Sequence, residues 1–434
     1  MELKKYRRKR EIPIGWKEIK LGDVFRTSSG ATPLTTELSY YEGGNIPWIN
    51  SGELASPYIY STSNYITQKG FDNSSTEIYP KGTILVAMYG ATAGKASMLK
   101  ITACTNQAIC AILPNDDYCP EFIKYNIDTL YEHLVGLSSG SARDNLSQAG
   151  LKELKLVLPK TKKEQENLIA VLSLLDSKIE LNKQINDNLE AMAKQLYDYW
   201  FVQFDFPNEE GKPYKSSGGA MVYNERLKRE VPIGWEVENL IDFAEIKNGA
   251  TPSTADEANY GGDIVWITPK DLSDQQSKFV YQGERNITKQ GFDSCSTSML
   301  PTNSVLMSSR APIGLVSIAK HEVCTNQGFK SFIPKSISDS IYLYYYIKHH
   351  IKQIEQLGTG TTFKEVSRDD LCKFPILTIG AKDIYVQWIE LQNVIADKQL
   401  ALTKEIAALT KQRDELLPLL MNGQATVNYH LSAC

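Results

Sequence analysis

The sequence lacks the patterns that mark most catalytic centres. Only five of its 434 residues are histidine, and these form no HExxH motif for a metal ion. It has no GxSxG motif for a nucleophilic serine, no glycine fingerprint of a dinucleotide-binding fold, and no Asn/Asp-Pro-Pro-Tyr/Phe stretch of the kind that amino-methyltransferases carry. Together these absences predict a chain with no catalytic centre and no metal site of its own.

Disulfide frameworks and membrane spans are also missing. The seven cysteines are odd in number and include no CxxC pair, which argues against a disulfide framework or a zinc site. No run of about 20 apolar residues is present to cross a bilayer. The basic run KKYRRKR at 4–10 is not followed by the apolar stretch of a secretory signal, and two interpretations of it stay open: contact with phosphate, or a solvated tail. We therefore expect a cytoplasmic protein.

Charge is nearly balanced along the chain. There are 47 lysines and arginines against 51 aspartates and glutamates, for a formal net charge of −4 at pH 7. Proteins that bind nucleic acid usually carry a basic footprint. Any contact of this chain with DNA is therefore expected to be local, with a partner supplying much of the phosphate neutralisation.

What the sequence does contain is a second copy of itself, offset by about 220 residues. EIPIGW at 11–16 returns as EVPIGW at 230–235, and ITQKGFD at 66–72 returns as ITKQGFD at 287–293. Solenoid repeats have periods of roughly 20–50 residues, whereas each copy here is large enough to bury a core of its own. The sequence predicts two similar domains in tandem.

Each copy is predicted to have an α+β fold, because short β-rich runs alternate with helical segments. Residues 82–88 and 304–307 are typical of buried strands, and residues 121–135 and 340–356 are typical of helices. The motif CTNQ precedes a β-rich run in both copies, at 104–107 and 324–327. There we favour side-chain hydrogen bonds that fix a turn over contact with a ligand.

A long helix with coiled-coil spacing is predicted to close each copy. Seam residues recur at alternating steps of three and four, and about 40 residues at 1.5 Å each give a rod of roughly 60 Å. The two helices are expected to pair antiparallel. Polar seam residues either fix the register or face a solvent-exposed gap, and both interpretations stay open. The seam consists of Leu175, Ile179, Asn182, Asn186, Leu189, Ile395, Gln399, Leu402, Ile406 and Leu409.

Domain bounds follow from these patterns and from a stretch rich in turn formers between the copies. The predicted parts are a first domain at 1–160, a first helix at 161–201, a linker at 202–229, a second domain at 230–381, a second helix at 382–421 and a tail at 422–434.

Candidate DNA-binding residues lie in two places in each copy. GATAGK at 90–95 is too short for a phosphate-binding loop, so a tight turn after a strand is the better interpretation. Loops rich in Gly, Ser and Thr begin at Leu137 and Leu357. Their mobile backbone amides, and the cation at the end of each loop, are suited to contacts with DNA phosphate or with the edge of a DNA groove. An ordinary turn or loop without a ligand stays the alternative at each place. The candidates are Tyr89, Lys95, Ser139, Ser141, Arg143, Ser309, Arg310, Thr361, Thr362 and Lys364.

The longest segments resemble the specificity subunit of type I restriction–modification enzymes. They are LSLLDSKIELNKQINDNLEAMAKQLYDYWFVQFDF at 172–206, GKPYKSSGGAMVYNERLKREVPIGW at 211–235 and LLPLLMNGQ at 416–424. The resemblance implies two target recognition domains, each reading one half of a bipartite, asymmetric site in double-stranded DNA. Differences between the copies, such as Tyr89-Gly90 against Ser309-Arg310, are then expected to determine the sequence that is read.

The resemblance also implies a division of labour among subunits. The helices would set the spacing of the half-sites and dock two methyltransferase (modification) subunits together with restriction/translocase subunits. S-adenosylmethionine, ATP and Mg would belong to those partners, and this chain would bind no cofactor. Two other functions stay open: a two-module adaptor for protein or glycan ligands, binding through tyrosines such as Tyr40, Tyr41, Tyr58 and Tyr60, and a hydrolase, for which the sequence offers no constellation.

Overall fold

The computed structural model describes residues 12–90, 92–139, 146–275, 277–359, 364–380 and 382–425. These residues form two units: one holds the chain up to Leu181 together with the residues from Glu405 onward, and the other holds Asn182–Lys404. Both units combine helices with sheets, which confirms the predicted α+β class. The basic run at 4–10 and tail residues 426–434 lie outside the described residues.

The first unit contains ten strands and the start of a long helix. Its strands are β1 (Trp16–Lys20), β2 (Thr27–Ser29), β3 (Ile46–Ile49), β4 (Tyr58–Ile59), β5 (Tyr65–Ile66), β6 (Ile84–Ala87), β7 (Ala96–Leu99), β8 (Cys104–Thr105), β9 (Ile109–Ile112) and β10 (Lys155–Pro159). Its helices are α1 (Leu21–Val24), α2 (Gln68–Asp72), α3 (Pro120–Asp128), α4 (Tyr131–Ser139), α5 (Gln148–Lys152) and the first half of α6 (Lys162–Tyr197).

The second unit repeats this plan and adds a hairpin. Its strands are β11 (Met221–Asn224), β12 (Arg229–Pro232), β13 (Glu236–Asn239), β14 (Ala244–Asn248), β15 (Tyr260–Ile267), β16 (Phe279–Val280), β17 (Arg285–Ile287), β18 (Val305–Ser308), β19 (Val316–Ala319), β20 (Cys324–Thr325), β21 (Phe329–Pro334) and β22 (Pro375–Thr378). Its helices are α7 (Leu240–Phe243), α8 (Pro269–Gln275), α9 (Lys289–Asp293), α10 (Ser340–His349), α11 (Ile351–Leu357), α12 (Arg368–Lys373) and the first half of α13 (Lys382–Met421).

Sheet topology confirms that the two units are copies. The first unit has sheets in the orders β2-β9-β6-β7-β4, β5-β3-β8 and β1-β10. The second has the same three sheets in the orders β14-β21-β18-β19-β16, β17-β15-β20 and β13-β22. Parallel pairs recur at the same places, β4 with β7 and β16 with β19. One backbone scaffold has therefore been built twice from different side chains.

The five-stranded sheet of each unit is buried on both faces. In β6 all four residues are buried, and alternate side chains enter different clusters: Ile84 and Val86 pack with Phe122, whereas Leu85 packs on the opposite face with Ile49. This follows from the period of two along a strand. The buried strands predicted at 82–88 and 304–307 are thus confirmed.

The long helices α6 and α13 pair antiparallel within each unit. In the first unit Asp176 accepts a hydrogen bond from Arg413, and Lys178 forms an ion pair with Glu405. In the second unit the Nε2 of Gln392 donates to the carbonyl of Ala193 at 3.0 Å. Residue numbers rise on one helix as they fall on the other, as the predicted antiparallel pairing requires.

The predicted seam lies inside this helix pair. None of its ten residues is exposed. Asn182 and Gln399 are buried, which excludes the solvent-exposed gap for these two polar positions. A buried amide at a seam favours the arrangement in which it finds a partner, and the Nε2 of Gln399 donates to Glu190 at 3.2 Å.

Residues 202–229 were predicted as a linker, and the structure corrects this. Phe204 and Phe206 are buried in the core of the second unit, where Phe206 stacks on Trp235 with ring centroids 5.2 Å apart. Strands β11 and β12 pair antiparallel within and just after this segment. The turn formers that suggested an open connection instead shape a folded hairpin, because the neighbouring aromatic residues supply enough apolar area to hold it. The other predicted domain bounds stay predictions.

A buried carboxylate on α6 links this helix to other elements of the first unit. Asp176 is 5% exposed and accepts hydrogen bonds from the hydroxyl of Tyr125 at 2.5 Å and from Tyr58 at 3.3 Å. It also pairs with Arg413 of α13 at 3.2 Å. One side chain thus connects both helices to the sheet and helix that carry the two tyrosines.

The substitution Asp176→Asn is expected to destabilise the protein by about 2–3 kcal/mol. This lies below the ~3–5 kcal/mol of a fully buried broken pair, because the guanidinium of Arg413 stays partly hydrated. Asp414→Asn is the matched control, since Asp414 bonds the same guanidinium at 2.7 Å from an exposed position; it should change stability by less than about 0.5 kcal/mol. Guanidinium unfolding measures both, and equal losses would contradict the role given to Asp176.

A buried lysine makes the corresponding connection in the second unit. The Nζ of Lys278 lies 2.8 Å from the hydroxyl of Tyr345 and 3.6 Å from Glu190 of α6, with only 4% of the side chain exposed. Burial lowers the pKa of Lys278 to about 8, although the charge of Glu190 opposes the shift. Lys348 and Lys320 add to the lowering.

This pKa predicts that Lys278 adds a positive slope to the dependence of stability on pH between 8 and 10. In that window the unfolded chain binds a proton that folded Lys278 has lost, so this residue should raise the unfolding free energy by up to about 1.4 kcal/mol per pH unit. Buried thiols such as Cys104, whose pKa is raised to about 11, contribute a slope of the opposite sign, so the comparison of variants isolates the lysine. Lys278→Met should remove the contribution of this lysine to the slope of unfolding free energy against pH. Lys289→Met, which changes an exposed lysine, should leave the slope as in the wild type. Guanidinium titrations at pH 8, 9 and 10 test this; identical slopes for the wild type and Lys278→Met would refute it.

Candidate nucleic-acid interface

In each unit, the turn predicted to bind DNA packs against the helix that leads into the second predicted place. In the first unit the turn between β6 and β7 packs on α4, since a Cβ added at Gly94 would lie 3.3 Å from Leu134. In the second unit the turn between β18 and β19 packs on α11, where a Cβ at Gly314 would lie 2.2 Å from Ile351. In each unit the turn therefore packs beside the helix that precedes the predicted Gly/Ser/Thr-rich loop.

Backbone hydrogen bonds define which residues of the two turns are equivalent. The amide of Leu146 donates to the carbonyl of Met88 at 2.8 Å, and the amide of Val366 donates to the carbonyl of Ser309 at 3.0 Å. Each bond ties the turn to the chain that follows the loop. Met88 and Ser309 thus occupy the same place in the two units.

This equivalence corrects the pairing drawn from sequence. The expected match of Tyr89-Gly90 with Ser309-Arg310 is wrong by one residue, and Tyr89 stands where Arg310 stands. The two copies share few residues in this turn, so their sequences alone do not determine which residues correspond. The corrected comparison sets an aromatic side chain against a cation at one structural position.

Arg310 is held by a carboxylate. Its Nε donates to Glu365 Oε2 at 2.8 Å, and the other carboxylate oxygen accepts from the Nζ of Lys330 at 3.1 Å. The backbones of Arg310 and Glu365 also form an antiparallel bridge. Burial raises the pKa of Glu365, but hydrogen bonds from Lys330 and Arg310 outweigh it, so the pKa falls below its ordinary value. The carboxylate is therefore ionised at neutral pH.

The remaining predicted residues differ in how far solvent reaches them. Ser309 is fully buried, which argues against the DNA contact predicted for its hydroxyl. Tyr89 and Lys95 are half-buried, and Lys364 is exposed. Ser139 ends α4, where the structure describes only its backbone. Ser141, Arg143, Thr361 and Thr362 lie outside the described residues.

Sequence reasoning missed Glu365 and Lys330. A signal was present for Lys330, because it is a cation within β21, a strand that is otherwise almost wholly apolar or small. A charged residue in a buried strand requires a partner. Nothing in the sequence indicates that the partner is Glu365, since their contact depends on the path of the loop.

The repeated CTNQ motif has the structural role that the sequence favours. Asn106 Oδ1 accepts from the amide of Ala108 at 3.1 Å, and Asn326 makes the same bond to Gly328 at 2.9 Å. A Cβ added at Gly30 would lie 1.9 Å from the carbonyl oxygen of Thr105, so only glycine fits there. The motif fixes a turn and a close backbone approach in both units.

Side chains able to bind a metal ion, and two buried thiols, lie within the part of the chain that the structure describes. Within it, no three His, Cys, Asp or Glu side chains come together as a metal site. Burial raises the pKa values of Cys104 and Cys324 to about 11, which keeps both as thiols at neutral pH. Of the described helices, none has the length and apolar content to span a membrane.

Comparison with known families identifies the duplicated unit. The family model described as the type I restriction modification DNA specificity domain matches residues 13–191 and again residues 232–418. The chain belongs to this family. Each match contains one set of three sheets and most of one long helix, so the family's unit corresponds to the unit repeated here.

Two curated relatives match nearly end to end. The type I restriction enzyme MjaIX specificity subunit of Methanocaldococcus jannaschii is 28% identical over 429 residues, which cover 96% of this chain and 95% of that one. The HindI specificity subunit of Haemophilus influenzae is 25% identical over 470 residues, covering 94% and 99%. The similarity thus includes both copies and both long helices.

A solved structure shares the fold. The crystal structure of the S subunit of a type I restriction–modification system from M. genitalium superposes with a TM-score of 0.54 at 15% sequence identity. The superposition covers 93% of this chain and 96% of that one. The tandem α+β architecture is therefore that of a known S subunit.

Packing of the two turns on their helices predicts unequal tolerance to alanine. Gly94 and Gly314 both have positive φ, +81° and +92°, so alanine should cost about 1–2 kcal/mol at either site. Gly314→Ala also drives a methyl group against Ile351, which should add about 1–3 kcal/mol. Guanidinium unfolding of the two variants checks this, and a Gly94→Ala loss as large as that of Gly314→Ala would disprove the close contact.

Proposed function

We propose that this chain is the DNA sequence-specificity subunit of a type I restriction–modification complex, and that it has no catalytic centre of its own. The observation that carries the proposal is the duplicated scaffold of a family whose matched unit is a DNA specificity domain. Each unit would read one half of a bipartite site in double-stranded DNA. Nothing in this role requires chemistry from the chain itself.

The two half-sites are proposed to differ in sequence. The same strand order presents Tyr89 in one unit and Arg310 in the other. Arginine donates hydrogen bonds to base edges or phosphate, whereas tyrosine offers an aromatic face and a single hydroxyl. Equivalent positions with different chemistry support the reading of an asymmetric site.

Partner subunits are proposed to supply catalysis and much of the affinity for phosphate. The chain has a formal net charge of −4, so it needs basic surface from elsewhere to hold DNA firmly. We propose two methyltransferase subunits that bind S-adenosylmethionine, and restriction/translocase subunits that use ATP and Mg. This chain would direct both to one site.

The long helices are proposed to dock those partners through side chains that point outward. The predicted seam residues pack within the chain, so they build the helix pair and are not free for a partner. Leu174 and Val394, each 70% exposed, lie on α6 and α13 outside the seam, and Leu181 and Leu391 are exposed on the same helices. Exposed apolar side chains on these helices support docking of another protein.

The adaptor hypothesis loses two of the four tyrosines on which it rested. The hydroxyl of Tyr58 is engaged with Asp176 inside the first unit, and the hydroxyl of Tyr41 donates to the carbonyl of Pro33 at 2.5 Å. These two tyrosines therefore serve the fold. No observation favours a glycan or peptide ligand over DNA.

A swap of one unit is expected to change one half-site only. Residues 12–160 end just outside the β1–β10 pair, so this region of a relative can be exchanged without cutting the pair or α6. The matched exchange of residues 233–379 begins just after β12 and ends just outside the β13–β22 pair. Sequencing of methylated adenines in hosts that express each chimera gives the two half-sites.

The control for this experiment is a host in which the gene is deleted. A bipartite motif should vanish from its methylome and return with the intact chain. A chimera that changes both half-sites, or a deletion that removes no bipartite motif, would overturn the proposal.

A further inference from the structure

We propose that Arg310 reads a guanine in the half-site of the second unit, and that Glu365 and Lys330 are positioning residues that aim its guanidinium. The inference rests on the proposed function and names the side chain through which one unit acts. It concerns a cluster of three charged residues beside the turn between β18 and β19.

The hydrogen bonds of Arg310 leave the outer edge of its guanidinium available. Glu365 engages the Nε, and among the described residues no hydrogen bond involves either Nη nitrogen. The side chain is 48% exposed. Two parallel N–H donors on the Nη edge match the O6 and N7 acceptors of guanine in the major groove.

The direction of this edge is set by the fold. Lys330 projects from β21, inside the five-stranded sheet, with 9% of its side chain exposed, and it holds the second carboxylate oxygen of Glu365. The antiparallel bridge between Arg310 and Glu365 fixes the backbone from which both side chains leave. An arginine ordered before binding loses less conformational entropy on the base and tolerates less misalignment, which favours discrimination.

The equivalent part of the first unit forms without this cluster. In the first unit Cys110 of β9 pairs with Val86 of β6. In the second unit Lys330 of β21 pairs with Met307 at the equivalent place in β18. Cys110 therefore occupies the position of Lys330. Tyr89 replaces Arg310 at the turn. The same scaffold therefore forms with neither cation, although burying Lys330 carries a desolvation penalty that the first unit avoids. An expensive feature confined to one of two copies indicates a role in what that copy reads.

Charge balance favours base reading over simple attraction to phosphate. A carboxylate placed against a phosphate-binding arginine repels the phosphate and weakens the contact. The same carboxylate helps a base reader, because it orients the donors and repels an uncharged base edge far less than a phosphate. Arg310 with Glu365 thus suits a guanine edge better than a phosphate oxygen.

The test uses the complex of the full chain with its methyltransferase subunits and a library of DNA randomised over both half-sites. Methylated molecules are sequenced to obtain the base preference at every position. Arg310→Lys keeps the charge but loses the two-pronged donor edge. Guanine preference should fall roughly 5- to 150-fold at one position of the second unit's half-site, while the other half-site stays unchanged.

The positioning residues are tested at the same position. Glu365→Gln and Lys330→Met should each weaken the same guanine preference, by less than Arg310→Lys does, and Glu365→Gln should add nothing in an Arg310→Lys background. Glu284→Gln is the matched control, because it removes a carboxylate that pairs with Lys270 on the exposed surface of the same unit. If Lys330→Met fails to fold, Glu365→Gln carries the test.

Three outcomes would overturn the inference. If Arg310→Lys keeps the motif and Arg310→Ala weakens binding to all sequences alike with a smaller salt slope, Arg310 contacts phosphate. If only Arg310→Lys shifts the guanine preference, Glu365 and Lys330 do not position it. If the wild-type complex methylates no bipartite motif, the proposed function fails before any variant is compared, and the inference fails with it.

Discussion

Neither core of this protein is completed by its own copy of the repeat alone. In the first unit Leu420 and Met421, from the end of α13, pack in a cluster with Leu21 and Phe122. In the second unit Trp200, from the short π-helical turn that follows α6, packs in the cluster of the sheet. Each unit therefore needs the helix that follows the other copy. This exchange ties the antiparallel helix pair to both cores, and Asp176 and Lys278 add polar contacts between the long helices and the rest of each unit.

A scaffold that folds under this constraint can vary at its surface. The repeated residues serve backbone geometry, as Gly30 and Asn106 do where the chain passes close to itself. Residues that differ between the copies include pairs on turns that the scaffold holds in place, with Tyr89 and Arg310 as the clearest example. At this pair of positions the side chain changes while the backbone scaffold stays the same.

The parts of the fold that follow from local sequence patterns were predicted correctly. The repeat predicted two α+β units, and the alternating steps of three and four through Ile179 and Leu402 predicted the paired helices. Features that depend on tertiary packing could not be predicted from these patterns. Turn formers at 202–229 indicated a linker because local composition does not reveal that Phe204 and Phe206 find a core. The pairing of Tyr89 with Arg310, and the contact of Arg310 with Glu365, needed hydrogen bonds between segments far apart in the chain.

An acidic chain that reads DNA is consistent with these contacts. Affinity for DNA comes mostly from phosphate neutralisation, which a partner is able to supply, whereas specificity needs few donors in fixed directions. At Arg310 the structure places a carboxylate where a protein selected for affinity alone would avoid one. The carboxylate of Glu365 lowers the nonspecific attraction of this site to DNA phosphate and also fixes the direction of the Arg310 donors. If the chain supplies geometry and its partners supply charge, its slight net negative charge limits binding to DNA in the absence of those partners.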